Sequence, residues 1–275
     1  MKILVTGGAG YIGSNLVDAL RASGHDVRVL DNLSVGQIEN IAPHLGAAGF
    51  EFICDSILNA EAVDKLVSQV DLVYHLAAAV GVRYIVKDPL NAILTNVRGT
   101  ENVLASCSRY WKRLVIASTS EVYGKSNGQM LSETADRTLG PTSVNRWSYS
   151  ASKAIDEHLA WAYCGKGLPV SVVRYFNSYG PRLNEDGYGS VIANFIRQAL
   201  CDEPITVHGD GRQTRSFTYV TDTVKGTMLA GERPEAIGEV FNIGDPVEIS
   251  VSELAKLIKG MTRSGSPIIS VPYEE

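Results

Sequence analysis

The stretch that most constrains the fold is "KILVTGGAGYIGSNLVDALRASG", residues 2–24. A short apolar run reads as a buried strand. A glycine-rich turn follows, then an amphipathic helix that Gly24 closes. Glycines at 7, 10 and 13, with Tyr11 and Ile12 between them, permit a tight turn and let backbone amides approach a pyrophosphate. The helix N-terminus adds its partial positive charge there. A lone glycine pattern is weak evidence. Here a strand precedes it, a helix follows it, and Asp31 ends the next strand, "DVRVLDN", 18 residues after Gly13. That carboxylate would accept hydrogen bonds from ribose hydroxyls and repel a 2′-phosphate, which favours NAD over NADP.

Strands and helices alternate through the first two thirds of the chain. "FEFICDS", "DLVYHLAA", "RLVIASTSEVYG" and "LPVSVVRYFN" read as further strands, and "PLNAILTNVRGTENVLASCSRY" reads as a long helix. The pattern predicts an α/β fold: a doubly wound parallel sheet with helices on both faces. After about residue 178 it loosens, with a polar loop over 177–190, the helix "VIANFIRQAL", the strand "ITVHG" and a turn-rich stretch "DGRQTRSFTYV". "EVFNIG" reads as a buried strand returning to the large sheet. Residues 1–176 are thus expected to form an NAD-binding domain. Residues 177–275 would form a smaller, partly interleaved substrate lobe, with the strand near 239–244 returning. Asp55, ending the third strand, has two readings: a hydrogen bond to adenine, or a cap for the next helix.

A net charge of −5 leaves no basic footprint for nucleic acid or an anionic membrane. Cys54, Cys107, Cys164 and Cys201 form no CxxC pair, and neither they nor the histidines show metal-ligand spacing, so no metal is expected. "MKILVTGG" carries no targeting pattern and no apolar run reaches a membrane span, which predicts a soluble, cytoplasmic protein.

In "NRWSYSASKAIDEHLAWAY", Tyr149 and Lys153 stand four apart on one helical face. Most such pairs are a core aromatic beside a solvated lysine. A nicotinamide cofactor changes that balance. Hydride removal from an alcohol needs a base, and free tyrosine, with a pKa of about 10, is poorly poised. A lysine ammonium one turn away stabilises the phenolate and lowers that pKa. Ser118, Thr119 and Ser120 end the fifth strand, on the carboxyl edge where such sheets bind ligands, and their hydroxyls could hold the reacting oxygen.

These residues resemble the extended short-chain dehydrogenases/reductases that act on nucleotide sugars. The likeness runs along essentially the whole chain, through "TGGAGYIGSNL", "HLAA", "STSEVYG", the Tyr149/Lys153 pair, "RYFNSYGPR" and "GDGRQTRSF". It implies that Tyr149 is the acid/base, Lys153 its electrostatic partner and ribose ligand, and Thr119 the hydroxyl partner. It also implies cofactor contacts from Asn32, Leu76, Ala77, Ala78 and Asn96. Asn177, Arg182 and Arg215 would contact the substrate, the last as a diphosphate ligand, a task that suits a guanidinium. Arg146 and Trp147 either shape the sugar pocket or pack the loop. The resemblance further implies a homodimer through helices at 89–110 and 149–163.

Oxidation at C4 of the sugar is common to several reactions of this family. Dehydratases carry Thr-Asp-Glu where this chain has Thr119-Ser120-Glu121, and 4-epimerases usually have a small residue at Glu121. Thr-Ser-Glu with "GPTSVNRWSYSASK" resembles UDP-glucuronate decarboxylases. There Glu121 and Ser120 would orient the substrate carboxylate or relay a proton, or Glu121 would merely organise neighbouring hydrogen bonds. UDP-hexose 4-epimerase is the alternative activity. A structural or redox-sensing NAD-binding protein is disfavoured because both Tyr149 and Lys153 are present. The sequence stops at "SVPYEE", where the resembled enzymes continue through an arginine near the substrate, so either a truncated chain or an abbreviated lobe is expected.

Overall fold

A computed structural model describes residues 1–80, 87–125, 130–183 and 191–272. The end of the polar loop expected over 177–190 therefore lies outside the described residues. Two compact units emerge, Met1–Tyr175 with Val220–Ile243, and Phe176–Tyr219 with Gly244–Glu275.

The first unit is built on a parallel seven-stranded sheet. Its strands are β1 (Lys2–Thr6), β2 (Asp26–Leu30), β3 (Phe50–Ile53), β4 (Leu72–His75), β5 (Arg113–Thr119), β6 (Val170–Tyr175) and β11 (Val240–Ile243). Their order is β11-β6-β5-β4-β1-β2-β3. The chain steps outward from β1 to β3, then returns to pair β4 on the other side of β1. Ligands of doubly wound sheets bind at such a reversal, beyond the carboxyl ends of the strands.

Helices α1 (Tyr11–Ala22) and α6 (Val220–Glu232) cover one face, and α2 (Ala60–Ser68), α3 (Pro89–Tyr110) and α4 (Arg146–Cys164) cover the other. Strand side chains alternate between faces, so neighbours join different cores. Leu4, Leu114 and Val172 pack with Val63, Leu104 and Ala160. Val5, Val115 and Val173 pack with Leu16, Leu20, Val220 and Val224. Burial on both faces explains why the strands read as continuous apolar runs.

Helix α6 and its place go beyond the sequence expectation. Residues 177–275 are expected in the smaller lobe except for the returning strand, whereas the whole of Val220–Ile243 belongs to the first unit. Arg113 on β5 fixes the helix end, Nη2 donating to Ala230 O at 2.7 Å.

The second unit holds α5 (Val191–Leu200) and α7 (Val251–Thr262) over a core of Ile192, Phe195, Ile205, Val207, Leu254 and Ile258. Short pairs complete it: β7 (Ser178–Tyr179) with β10 (Thr218–Tyr219), β8 (Ile205–His208) with β13 (Ile268–Val271), and β9 (Thr214–Ser216) with β12 (Glu248–Ser250). A capping box of Ser250 and Glu253 starts α7.

Candidate active site

The turn from β1 into α1 has no room for side chains. A Cβ on Gly13 would collide with Gly7 O, and one on Gly7 would stand 2.7 Å from the Ala77 backbone nitrogen. Gly7 also has φ +72, a left-handed conformation that glycine adopts freely. Gly10 caps α1 without any side-chain hydrogen bond to its first amides. An uncovered helix N-terminus beside close backbone is an anion cradle, and it fits the pyrophosphate of a dinucleotide.

Asp31, buried at the end of β2, accepts from Ala9 N (3.0 Å) and Leu33 N (2.9 Å). Burial pushes its carboxyl up, and those two amides pull it partly back. Each oxygen keeps a further lone pair for a ribose hydroxyl. Asn32 makes a local turn, Oδ1 accepting from Ser34 N at 3.1 Å. Leu76 and Ala77 follow β4 with their amides donating to Thr6 O (3.0 Å) and Thr6 Oγ1 (3.3 Å), which sets Leu76, Ala77 and Ala78 beside the glycine turn.

One sequence expectation changes here. Asp55 does not cap α2: it accepts from Ser56 N and Asn59 Nδ2, while Asn59 is the cap and accepts from Ala62 N at 3.2 Å. Asn96, which the resemblance places at the cofactor, is buried and hydrogen-bonded to its neighbours. Its Oδ1 accepts from Ala79 N at 2.7 Å, and its Nδ2 donates to Ser152 Oγ and Ala79 O. It ties the segment after β4 to the Tyr149 helix.

Tyr149 and Lys153 lie in α4, whose early residues pack against Ala79 and Ala92. The Tyr149 phenol faces the Thr119 side chain at the carboxyl end of β5. Thr119 also caps the short turn Ser120–Tyr123, accepting from Glu121 N at 3.2 Å. Lys153 is buried, and its Nζ donates to Asp156 Oδ2 at 2.7 Å. The expected lowering of the phenol is not what the protein shows on its own. Burial, then the charges of Glu121 and Asp156, push Tyr149 above its ordinary value, while the Thr119 hydrogen bond pulls it down. The ammonium faces a carboxylate one turn further on.

Residues 3–244 match the profile of the "NAD dependent epimerase/dehydratase family". A Bacillus cytotoxicus protein named UDP-N-acetyl-alpha-D-glucosaminuronate decarboxylase is 43% identical over 274 residues, which covers all of this chain and 84% of that one. The chain belongs to this family of enzymes. UDP-glucuronic acid decarboxylase 4 of Arabidopsis thaliana is 41% identical, over 94% of this chain and 57% of its own length. Several of the decarboxylases it matches are thus considerably longer than this chain. Among solved structures, a UDP-glucuronic acid 4-epimerase from Bacillus cereus, in complex with UDP-glucuronic acid and NAD, superposes with a TM-score of 0.87 at 34% identity. That match covers 99% of this chain and 86% of the epimerase chain.

Not every residue picked out from the family motifs sits as expected. Ser118 does not join Thr119 at the reacting edge. It is buried, and its Oγ donates to Glu157 Oε1 at 2.5 Å. Glu157 in turn accepts from Arg174 Nε (2.9 Å) and Nη2 (2.7 Å), and Arg174 Nη1 donates to Tyr123 Oη and Glu133 O. This network braces β5, β6 and the turn that carries Ser120 and Glu121. Both of those residues remain accessible, and Glu121 is exposed. Arg146, exposed at the start of α4, stacks on Trp147 at 5.3 Å from the ring.

Asn177, Arg182 and Arg215 belong to the second unit. Asn177 bridges to β9, Nδ2 donating to Ser216 O at 3.2 Å. Arg182 has φ +71, and Arg215 is exposed on β9 with Nη1 donating to Thr214 O.

His75 and Asp156 were not picked out for roles of their own. His75 lies 2.7 Å from Thr6 Oγ1 through Nδ1 and 3.0 Å from Thr100 Oγ1 through Nε2. Its helix-facing neighbour Thr100 lies beside Asp156. The three acidic and basic letters "KAIDE" hinted at charge on α4, but only the packing shows which of them are buried. Among the described residues no cluster of three or more His, Cys, Asp or Glu could hold a metal, and no helix is long and apolar enough to cross a membrane.

Proposed function

We propose that this enzyme binds NAD and a UDP-linked uronic acid, oxidises the sugar transiently at C4, and releases its carboxyl group as CO2. The observation that carries this reading is the placement of the Tyr149 phenol against the Thr119 side chain at the carboxyl end of β5, with Lys153 one turn beyond on the same helix. Gly7, Gly10, Tyr11, Ile12 and Gly13 would hold the pyrophosphate. Asp31 would hold the adenosine ribose, and Lys153 the nicotinamide ribose. NAD, when bound, supplies the two-electron oxidant for C4 and the reductant that restores it.

Thr119 and Tyr149 bind the C4 hydroxyl, and Tyr149 takes its proton as the ketone forms. The product of that step is a β-keto acid. Its carboxylate leaves as CO2 while the bonding electrons move toward the C4 oxygen, making an enolate. The two hydroxyls stabilise that developing charge as hydrogen-bond donors. Glu121, exposed beside this pair, is placed to exchange protons with water. Asn177, Arg182 and Arg215 are the candidate substrate contacts, Arg215 for the diphosphate.

The 43% identity to the Bacillus decarboxylase supports decarboxylation. It also widens the substrate class to uronic acids bearing a 2-acetamido group. The Bacillus cereus likeness favours 4-epimerisation of UDP-glucuronic acid as a second reading. The test supplies UDP-glucuronic acid, its 2-acetamido analogue and UDP-glucose in turn, each with NAD, and reads CO2 and product mass. Loss of CO2 from either uronic acid supports decarboxylation. A C4 epimer with the carboxyl retained supports the second reading, and inertness toward all three refutes both. The same preparation should bind NAD more tightly than NADP, and a homodimer through α3 and α4 completes the proposal.

A further inference from the structure

Asp156 has no part in the reaction as proposed, yet it is the most completely buried carboxylate beside it. Its Oδ2 accepts from Lys153 Nζ at 2.7 Å, in an ion pair whose side chains are 3% and 0% exposed. Its Oδ1 is buried and has no hydrogen-bond partner among the described residues. Burying a charge with one oxygen unsatisfied is unfavourable, and a well-packed apolar residue would stabilise the helix at least as well. A carboxylate held under those conditions one helical turn beyond Lys153, and two beyond Tyr149, is a candidate for tuning the reacting group.

We infer that Asp156 is a positioning residue that draws the Lys153 ammonium toward itself and so sets the pH range in which Tyr149 can accept a proton. The inference rests on the proposed role of Tyr149. With Asp156 ionised, the cluster of neutral Tyr149, Lys153 ammonium and Asp156 carboxylate carries no net charge. Deprotonating Tyr149 then creates a net negative charge in a poorly solvated place. Without the carboxylate the same deprotonation would cancel a net positive charge, so it would occur at lower pH.

The groups facing this cluster come from every neighbouring element. On α4 they are Glu157, which is committed to Arg174 of β6, and Ser152, held by Asn96 of α3. Glu121 and Thr119 stand at the end of β5. Thr100 of α3 lies beside Asp156, and behind it His75 of β4 is held neutral by burial, with Thr6 of β1 at its other nitrogen. Among these neighbours Glu121 is the other carboxylate acting on Tyr149, and it is exposed, so water screens it more than it screens Asp156.

The test compares wild type with Asp156→Asn, which keeps the shape and an oxygen acceptor for Nζ but removes the charge. Asp156→Ser, which leaves space for water beside Nζ, serves if the first variant does not fold. One readout is the titration of Tyr149 in protein labelled with [13Cζ]tyrosine, without cofactor or substrate, with Tyr149→Phe assigning the signal. The other is the acid limb of kcat/KM for the NAD-loaded enzyme on its UDP-uronic acid. Both midpoints should fall by about one pH unit or more, a tenfold change in proton affinity. A lower melting temperature with both midpoints unmoved would mean a purely structural ion pair, and would overturn the inference. The readouts separate the two proposals: a shifted Tyr149 signal in a protein inert toward uronic acids sustains this inference while refuting the proposed function.

Discussion

Acid should destabilise the first unit through His75, and the size of the effect follows from its burial. The ring is fully enclosed between Thr6 and Thr100, and burial first, then the Lys153 charge, lowers its pKa from 6.5 to about 3. In the unfolded chain the imidazole takes a proton near pH 6.5, while in the folded protein it stays neutral to about pH 3. Between those values the unfolded state binds the extra proton, so stability falls as pH falls through that window. Each pH unit within it is worth about 1.4 kcal/mol. From pH 7 to pH 5 the loss from this one group comes to about 2 kcal/mol. Carboxylates also titrate on the way down, so the assay is a comparison. Urea unfolding of wild type and His75→Asn is followed from pH 7.5 to 4.5, since asparagine keeps hydrogen-bonding capacity for Thr6 or Thr100 without titrating. The wild-type curve should fall more steeply, by about 2 kcal/mol over the pH 7 to 5 interval. Parallel curves would refute the reasoning, because they would mean that His75 is protonated equally in both states.

Four further outcomes are expected. Tyr149→Phe should lower turnover by roughly 10²–10⁴-fold while NAD affinity, measured by calorimetry, stays near wild type; a Phe variant with most of its activity would remove Tyr149 from the reaction. Gly13→Val should weaken NAD binding at least tenfold, because any Cβ there meets Gly7 O and forces the helix N-terminus away from the ligand; unchanged affinity would contradict the cradle. Glu157→Leu should cost about 3–5 kcal/mol by leaving the Arg174 guanidinium buried and unpaired, and adding Arg174→Met should recover part of that loss; strictly additive losses in urea unfolding would show that the pair is not coupled. Light scattering at micromolar concentration should give twice the 29.7 kDa chain mass, and a monomer would count against the proposed α3–α4 interface.

Local chemistry was enough to read the frame of this protein. Buried parallel strands announce themselves as short apolar runs, and the glycines at 7, 10 and 13 mark a turn that no other residue can make. The four-residue spacing of Tyr149 and Lys153 needs only a helix to put them on one face. Two helices, α6 and α7, lie beyond the sequence expectation. For α7 the signal is present in the sequence, as the Ser250–Glu253 capping box. For α6 it is weak: "VTDTVKGTMLAG" is rich in β-branched residues and glycine, and it becomes helical because Val220, Val224 and Thr227 find a place on the sheet.

Side-chain partnership was decided by tertiary structure alone. Ser118 and Thr119 are adjacent in a strand, so one must face the interior while the other reaches the site, and sequence does not say which. Asp55 lost the cap to Asn59 four residues on, a choice made by where α2 begins. Lys153 and Asp156 are three apart in a helix, a spacing that on a surface gives a weak solvated pair. Packing of α3, β5 and β6 against α4 removes the water and turns that pair into a buried ion pair behind Tyr149. Which residues are near each other along the chain is written in the sequence. How strongly their charges act on each other depends on the solvent that the rest of the fold excludes.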